Sequence, residues 1–280
     1  MEKIKILVCT HKKGDFNHDN VYIPIQGGKA ISDVNLGIQG DDTGDNISEK
    51  NKRYCESSVL YWAWKNLKDV EYIGLAHYRR LYNLKISDEN IDKLMKGKDF
   101  LLIKPVILPT SNADKFERTV CTEDWCILLD TILELYPGYK KSIVDYFYRN
   151  KFIPYSMFIT KRNELDNYCK FLYDILFCVE NRLCSFKYAR MNRSLAYMGE
   201  WLLGLYCYHN NFRIKYVKVD NNQIRSKYHK ITWMVDIKNH ITFFLWNLQT
   251  KRIVDNAAIV GLEQDGICLP HLERLIKEYR

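Results

Sequence analysis

Residues 72–82, YIGLAHYRRLY, run from an apolar stretch straight into an imidazole (His77), a phenol (Tyr78) and two guanidiniums (Arg79, Arg80). The apolar part reads as a buried strand. Two adjacent arginines cannot remain inside a sheet, because each unpaired buried charge costs several kcal/mol. They belong at the strand's carboxyl tip, where open α/β sheets take their ligands. The planar fork of arginine fits phosphate oxygens, so the chemistry to expect there is anion binding. The alternative is a strand end whose arginines pair with carboxylates, and Glu56 is expected to pair with Arg79 or Arg80.

Other chemistry-bearing residues are spread through the first half of the chain. A first strand over residues 3–9 ends in Thr10 and His11, a common nucleotide-contact position, although no glycine-rich phosphate fingerprint follows it. Residues 40–51, GDDTGDNISEKN, form the most polar stretch. A calcium loop fails there: no glycine stands at the sixth position and Lys52 occupies the place of the bidentate glutamate. The stretch reads either as a solvated loop capping the next helix or as a ligand loop that sets Asp45 and Asn46 beside the Arg79 strand. Late in the chain, Glu200 is the only acid between Glu180 and Asp220 and lies in an otherwise apolar helical run.

The elements that must position these groups alternate. A helix over about 51–67, apolar nearly all round, precedes the 72–82 strand and should be buried. A short helix near 87–96, a strand at 100–103, helices from Thr122 and Pro137, a strand at 153–159, a helix over about 162–181, another over 195–206 and an edge strand at 212–219 follow. Strand and helix alternation without repeats or linkers argues for one α/β domain with a mostly parallel sheet over residues 1–219. Residues 220–280 read as a basic, partly amphipathic helical extension. There, Trp233, Ile237, Ile241, Phe244, Leu245 and Leu248 recur at helical spacing, which suits either a core helix or one lying in a membrane interface.

Composition narrows the setting. The 280 residues are 47% hydrophobic and 14% aromatic, enough for a sizeable core and too apolar for disorder. Nine scattered cysteines without a C-x-x-C pair suggest reduced thiols and a cytoplasmic protein. The charged opening MEKIKILVCTH does not read as a signal peptide, and no run approaches the roughly 20 apolar residues of a membrane span. The net charge of +8 is uneven: residues 212–252 hold nine Lys/Arg and two Asp, a local +7, against −2 up to residue 51. Such a concentration suits an anionic partner.

Three stretches, in order and spacing, carry a family resemblance: GDDTGDNISEKN at 40–51, Tyr54-Cys55-Glu56 leading into LYWAWKN at 60–66, and GLAHYRR at 74–80. Together with ILVCTHKK at 6–13 and MFITK at 157–161, they resemble the bacterial capsular and exopolysaccharide biosynthesis family, long filed as a domain of unknown function and regarded as glycosyltransferases. The resemblance covers roughly residues 1–217. Near Glu200 the family has a Ser-Glu-Arg-Leu segment where this chain reads GEWL, keeping only Glu200 and Leu202. It implies a GT-A-like fold and transfer of a sugar from a UDP-sugar, galactofuranose or another hexose, to a lipid-linked cell-surface polysaccharide. Donor contacts are then expected from Thr10, His11, Asp45, Asn46, His77, Arg79, Arg80 and Arg193, with Glu200 as catalytic base of an inverting reaction. His77-Tyr78-Arg79 stands where such folds usually carry an Asp-x-Asp metal motif, so the arginines are expected to replace the metal and no cofactor beyond the donor is implied. A divalent cation held by His77 and Asp41, Asp42 or Asp45 is the less favoured alternative. The implied location is the cytoplasm, peripheral on the inner face of the membrane.

Two other classes compete. A polyanion- or nucleic-acid-binding protein could use residues 212–252, but these lack the spaced aromatic and basic motifs of RNA-binding modules. A metal-dependent hydrolase could use His11, His77 and the loop 41–45, but no H-x-x-x-H or H-x-D pair gives ligand spacing. The leading expectation excludes a nucleic-acid partner.

Overall fold

A computed structural model describes residues 2–13, 20–184, 188, 191–220, 232–249 and 252–279. The strands are β1 (Ile4–Thr10), β2 (Tyr22–Gln26), β3 (Tyr72–His77), β4 (Leu81–Tyr82), β5 (Phe100–Ile103), β6 (Val106–Ile107), β7 (Lys151–Phe152), β8 (Phe158–Lys161), β9 (Ile214–Val217) and β10 (Val219–Asp220). The helices are α1 (Asn51–Tyr54), α2 (Glu56–Asn66), α3 (Ile91–Met95), α4 (Asn112–Glu117), α5 (Thr122–Leu135), α6 (Lys140–Phe147), α7 (Arg162–Glu180), α8 (Ser194–His209), α9 (Thr232–Gln249), α10 (Asn256–Gln264) and α11 (Pro270–Glu278). The chain forms two compact units: residues 1–105, 153–171 and 211–227, and residues 106–152, 172–210 and 228–280.

The first unit holds a six-stranded sheet ordered β2-β1-β3-β8-β5-β9. Pairings β1–β2, β1–β3 and β5–β9 are parallel, and β8 enters antiparallel between β3 and β5. The fold is therefore α/β with a mostly parallel central sheet. The residues of β3 from Tyr72 to Ala76 are all buried, as a run this apolar requires. Gly74 faces Ile159 across the β3–β8 pair. A Cβ there would stand 2.8 Å from Ile159 Cγ1 and 3.0 Å from the Phe158 carbonyl oxygen, so the close approach of the strands needs glycine. The Tyr82 hydroxyl lies 2.8 Å from the Leu75 carbonyl and 2.9 Å from that of Phe158, a donor shared across the same junction. As expected, β9 lies at a sheet edge with Tyr216 exposed.

Two elements differ from their sequence reading. The helix expected over 51–67 is broken at Cys55, whose φ of 48° and ψ of −127° leave helical space. The Cys55 carbonyl accepts from Ser58 N at 3.1 Å, Ser58 Oγ at 3.1 Å and Asn51 Nδ2 at 2.8 Å, so local side-chain bonds restart the helix as α2. The strand expected over 153–159 is confined to β8. Its intended first half turns instead, with Tyr155 and Ser156 at φ 76° and 49°. β2 lies in a stretch without a sequence assignment and pairs in parallel with β1.

The second unit is mainly helical around an aromatic core. Ring centroids lie 4.7 Å apart for Phe116–Trp125, 4.6 Å for Trp125–Phe147 and 4.1 Å for Phe152–Trp201. The tail contributes to this core. Trp125 Nε1 donates to the Ile253 carbonyl at 2.8 Å. Buried Asp130 accepts from His271 N and Leu272 N, both at 2.9 Å, at the start of α11. Leu262, Leu269, Leu272 and Leu275 are buried. The unit thus joins residues 228–280 to 106–152 and 172–210, whereas the resemblance-based boundary lies at 219/220. α9 differs from its neighbours: it is not the core helix that its apolar stripe also allowed, because that stripe is exposed.

Candidate functional site

The carboxyl tips of β1 and β3 and the turn before β8 gather one cluster in the first unit. Tyr78 N donates to the Cys9 carbonyl at 3.2 Å, extending the β1–β3 ladder by one residue. The chain then turns tightly, with Arg80 N on the His77 carbonyl at 2.9 Å. His77 Nε2 lies 2.6 Å from the Tyr155 carbonyl. A carbonyl only accepts, so Nε2 carries the proton. The Arg80 guanidinium stands 4.0 Å from the centre of the Tyr155 ring, and that of Arg79 stands 5.1 Å from the Tyr78 ring. His11 meets Tyr78 edge-on at 5.5 Å. Thr10 is fully buried, and its Oγ1 donates to the Lys12 carbonyl at 2.9 Å, which shapes the turn carrying His11.

Neither Arg79 nor Arg80 has a carboxylate partner among the described residues, and Arg79 is exposed. The expected pairing of Glu56 with one of them is absent: its half-buried carboxylate forms no ion pair with either. Gly27 fixes where α2 lies, since a Cβ there would meet Cys9 Sγ and Val59 Cγ2, each at 3.2 Å. The register pairs Cys9 with His77, so the two share a face of the sheet with α2 over it. Burial, then the charges of Glu56 and Asp41, push the Cys9 thiol well up, and it stays protonated.

The loop 40–51 is tied down mostly by its own acids. Asp41 is fully buried and accepts from Gly28 N (3.0 Å), Lys29 N (3.1 Å), Ser48 Oγ (2.5 Å) and Ser58 Oγ (2.5 Å). Asp45 is exposed and takes the Tyr61 hydroxyl at 3.1 Å and Lys65 Nζ at 3.8 Å. Burial, then this carboxylate, push the Tyr61 phenol up to about 12. Asn46 Oδ1 accepts from Ser48 N at 3.1 Å, capping the turn into α1. Asp45 therefore sits along the second half of α2, while Thr10, His11, His77, Arg79 and Arg80 share the strand tips. Arg193 and Glu200 belong to the second unit: Arg193 is exposed at the start of α8, and Glu200 is half-buried within that helix. Among the described residues, no group of three or more His, Cys, Asp or Glu side chains could hold a metal ion.

Tyr155 and Ser156 escaped the sequence reading. No local signal marks two successive left-handed residues in an apolar run after Pro154, yet Tyr155 supplies both the His77 acceptor and the Arg80 ring. Such conformations cost about 1–3 kcal/mol each and persist only where the surroundings impose them. Ser156 Oγ is buried without a hydrogen-bond partner among the described residues.

No curated protein sequence matches the chain. A solved structure, the apo form of the bifunctional glycosyltransferase WbbM, superposes with a TM-score of 0.73 at 27% identity over 78% of this chain. The chain spans only 45% of that protein's length. The family model described as a domain of unknown function, DUF4422, matches residues 5–211, and on that match the chain belongs to the DUF4422 family.

Proposed function

We propose that this protein is a glycosyltransferase with a GT-A-like fold. It moves a sugar, galactofuranose or another hexose, from a UDP-sugar to a lipid-linked cell-surface polysaccharide, as in capsule or exopolysaccharide synthesis. The observation that carries the reading is the pair of guanidiniums at the β3 tip, held against rings and without carboxylate partners among the described residues. The fold shared with a solved glycosyltransferase supports it.

In this reading the acceptor hydroxyl attacks the anomeric carbon as the bond from that carbon to the β-phosphate oxygen breaks. The electron pair leaves with UDP, and Arg79 and Arg80 neutralise the charge that develops there. His11 and His77 line the donor end, Thr10 shapes the turn that carries His11, and Asp45, Asn46 and Arg193 are further donor contacts. Glu200 takes the hydroxyl proton, and configuration inverts. Arg79 and Arg80 supply the positive charge that a divalent cation would otherwise bring, so no step runs through a metal. The protein meets its acceptor at the inner face of the cytoplasmic membrane, in peripheral contact with anionic lipid. Against a nucleic-acid partner, residues 212–252 lack the spaced aromatic and basic motifs of RNA-binding modules.

The test is a thermal-shift and calorimetric screen with UDP, GDP, CMP, divalent metals and an oligonucleotide. UDP alone should stabilise the protein by mass action. Arg79→Ala should weaken UDP binding by about 1.5–3 kcal/mol, the scale of a charged hydrogen bond. Activity should survive EDTA. Stabilisation only by oligonucleotide would overturn the transferase reading, and activity lost in EDTA and restored by Mn²⁺ would overturn its metal-free chemistry.

A further inference from the structure

The α9 helix presents its apolar side outward. At about 100° per residue, Trp233, Phe244, Ile237, Leu248, Ile241, Met234 and Leu245 fall within an arc of about 120°. Every one of them is exposed, from 50% for Ile237 to 70% for Leu248. The half-buried residues Asp236, Asn239, Phe243, Trp246 and Asn247 fall on another side, and Asn239 Nδ2 fixes that side by donating to the Ile107 carbonyl at 2.8 Å. An apolar stripe is thus held away from its own unit. Seven large side chains in one row differ from the scattered exposed residues that any surface carries.

We propose that this stripe is a docking surface for an anionic lipid bilayer, with α9 lying in the plane of the interface. Charge complementarity favours that occupant. In the sequence, Lys227, Lys230, Lys251 and Arg252 bracket the helix and Lys238 borders the stripe, within the segment of net +7. The one acid of α9, Asp236, lies off the stripe. An apolar face flanked by cations is the pattern of helices that bind at lipid headgroup depth. No described helix is long and apolar enough to cross a membrane, so α9 would rest on the bilayer. A second copy of the chain fits less well. Eighteen residues make a helix about 27 Å long, and a strip about 10 Å wide buries roughly 270 Å² per partner. Stable interfaces bury about 800 Å² per partner. The inference deepens the peripheral contact proposed above by assigning its surface, and it does not depend on the donor chemistry.

Co-sedimentation of the full chain with phosphatidylcholine vesicles, with and without phosphatidylglycerol, tests it at low and high salt. Binding should require phosphatidylglycerol and weaken as salt screens the cations. Ile241→Ser/Phe244→Ser, at exposed positions that leave the fold intact, should lower the partition coefficient at least about tenfold. UDP binding by the same variant, measured by calorimetry, should stay at the wild-type value, which separates failure of this inference from failure of the transferase reading. No binding to phosphatidylglycerol vesicles at low salt, or equal binding by the double variant, would overturn the proposal. So would concentration-dependent dimerisation abolished by the variant without vesicle binding, which would assign the face to a second copy.

Discussion

Arg79 and Arg80 are adjacent in sequence but held differently. Arg80 is half-buried over the Tyr155 ring, which orients its fork, while Arg79 is exposed beside Tyr78. An exposed arginine needs no explanation; one kept without a carboxylate at the end of a buried strand is what an incoming phosphate could use. Glu200 tests the other half of the proposed chemistry. Glu200→Gln preserves shape and most hydrogen bonding while removing the base. Turnover should fall by about 10²–10⁴, with UDP binding and melting temperature near wild type. A variant that turns over within a factor of about three of wild type, or melts far lower, makes Glu200 structural. Both arginines and Glu200 could be picked out from residue type and neighbours alone. Tyr155 could not, because its carbonyl meets His77 only through a turn at positive φ that leaves no local trace in the sequence.

Among the elements, α4 and α10 meet through a carboxyl that titrates unusually. Glu117 ends α4, and burial raises its carboxyl to about 7, opposed by the charge of Arg252 and a hydrogen bond at Asp255. Its Oε1 is buried without a hydrogen-bond partner among the described residues. The sign follows from linkage: with the folded value above the usual 4.5, the folded state holds the proton more tightly. The favourable contribution is complete below about pH 4.5, is lost as pH rises towards about 7, and then stays lost. Glu117→Gln cannot ionise, so its melting temperature should gain on wild type between pH 5 and pH 8. A difference that does not change with pH would show that the carboxyl does not titrate in this window. The strong elements were readable here: α5 begins at its sequence signal, and α7 and α8 begin and end within a few residues of theirs. The break at Cys55 was not, because it depends on Asn51 and Ser58 reaching the same carbonyl.

At the scale of the whole molecule, the family-like region and the compact units divide the chain differently. The match ends at residue 211, but Ile253, Leu262, Leu269, Leu272 and Leu275 belong to the core that contains Trp125. Each buried aliphatic side chain contributes about 1.5–3 kcal/mol relative to exposure. Truncation after Val219 removes all five and leaves Asp130 without the backbone donors of α11. Such a chain should aggregate, or melt well below the full-length protein in a thermal scan. Soluble protein with an unchanged, cooperative transition would mean that the tail is a separable appendage.

The sequence by itself determined what local rules govern. It marked β3 as a buried strand ending in guanidiniums, because two adjacent charges cannot follow five apolar residues into a core. It marked α9 as a helix with one apolar stripe, because that spacing has the helical period. It could not say which way the stripe faces. Periodicity records that a face is apolar, and a core neighbour or a bilayer would select the same pattern. Only tertiary structure decided that α10 and α11 cover α5 while α9 leaves its stripe exposed, since exposure depends on which elements are left to pack against it. Likewise, only the placement of β8 between β3 and β5 brought the Tyr155 carbonyl to His77. That contact joins residues 78 positions apart in sequence, beyond the reach of any local pattern.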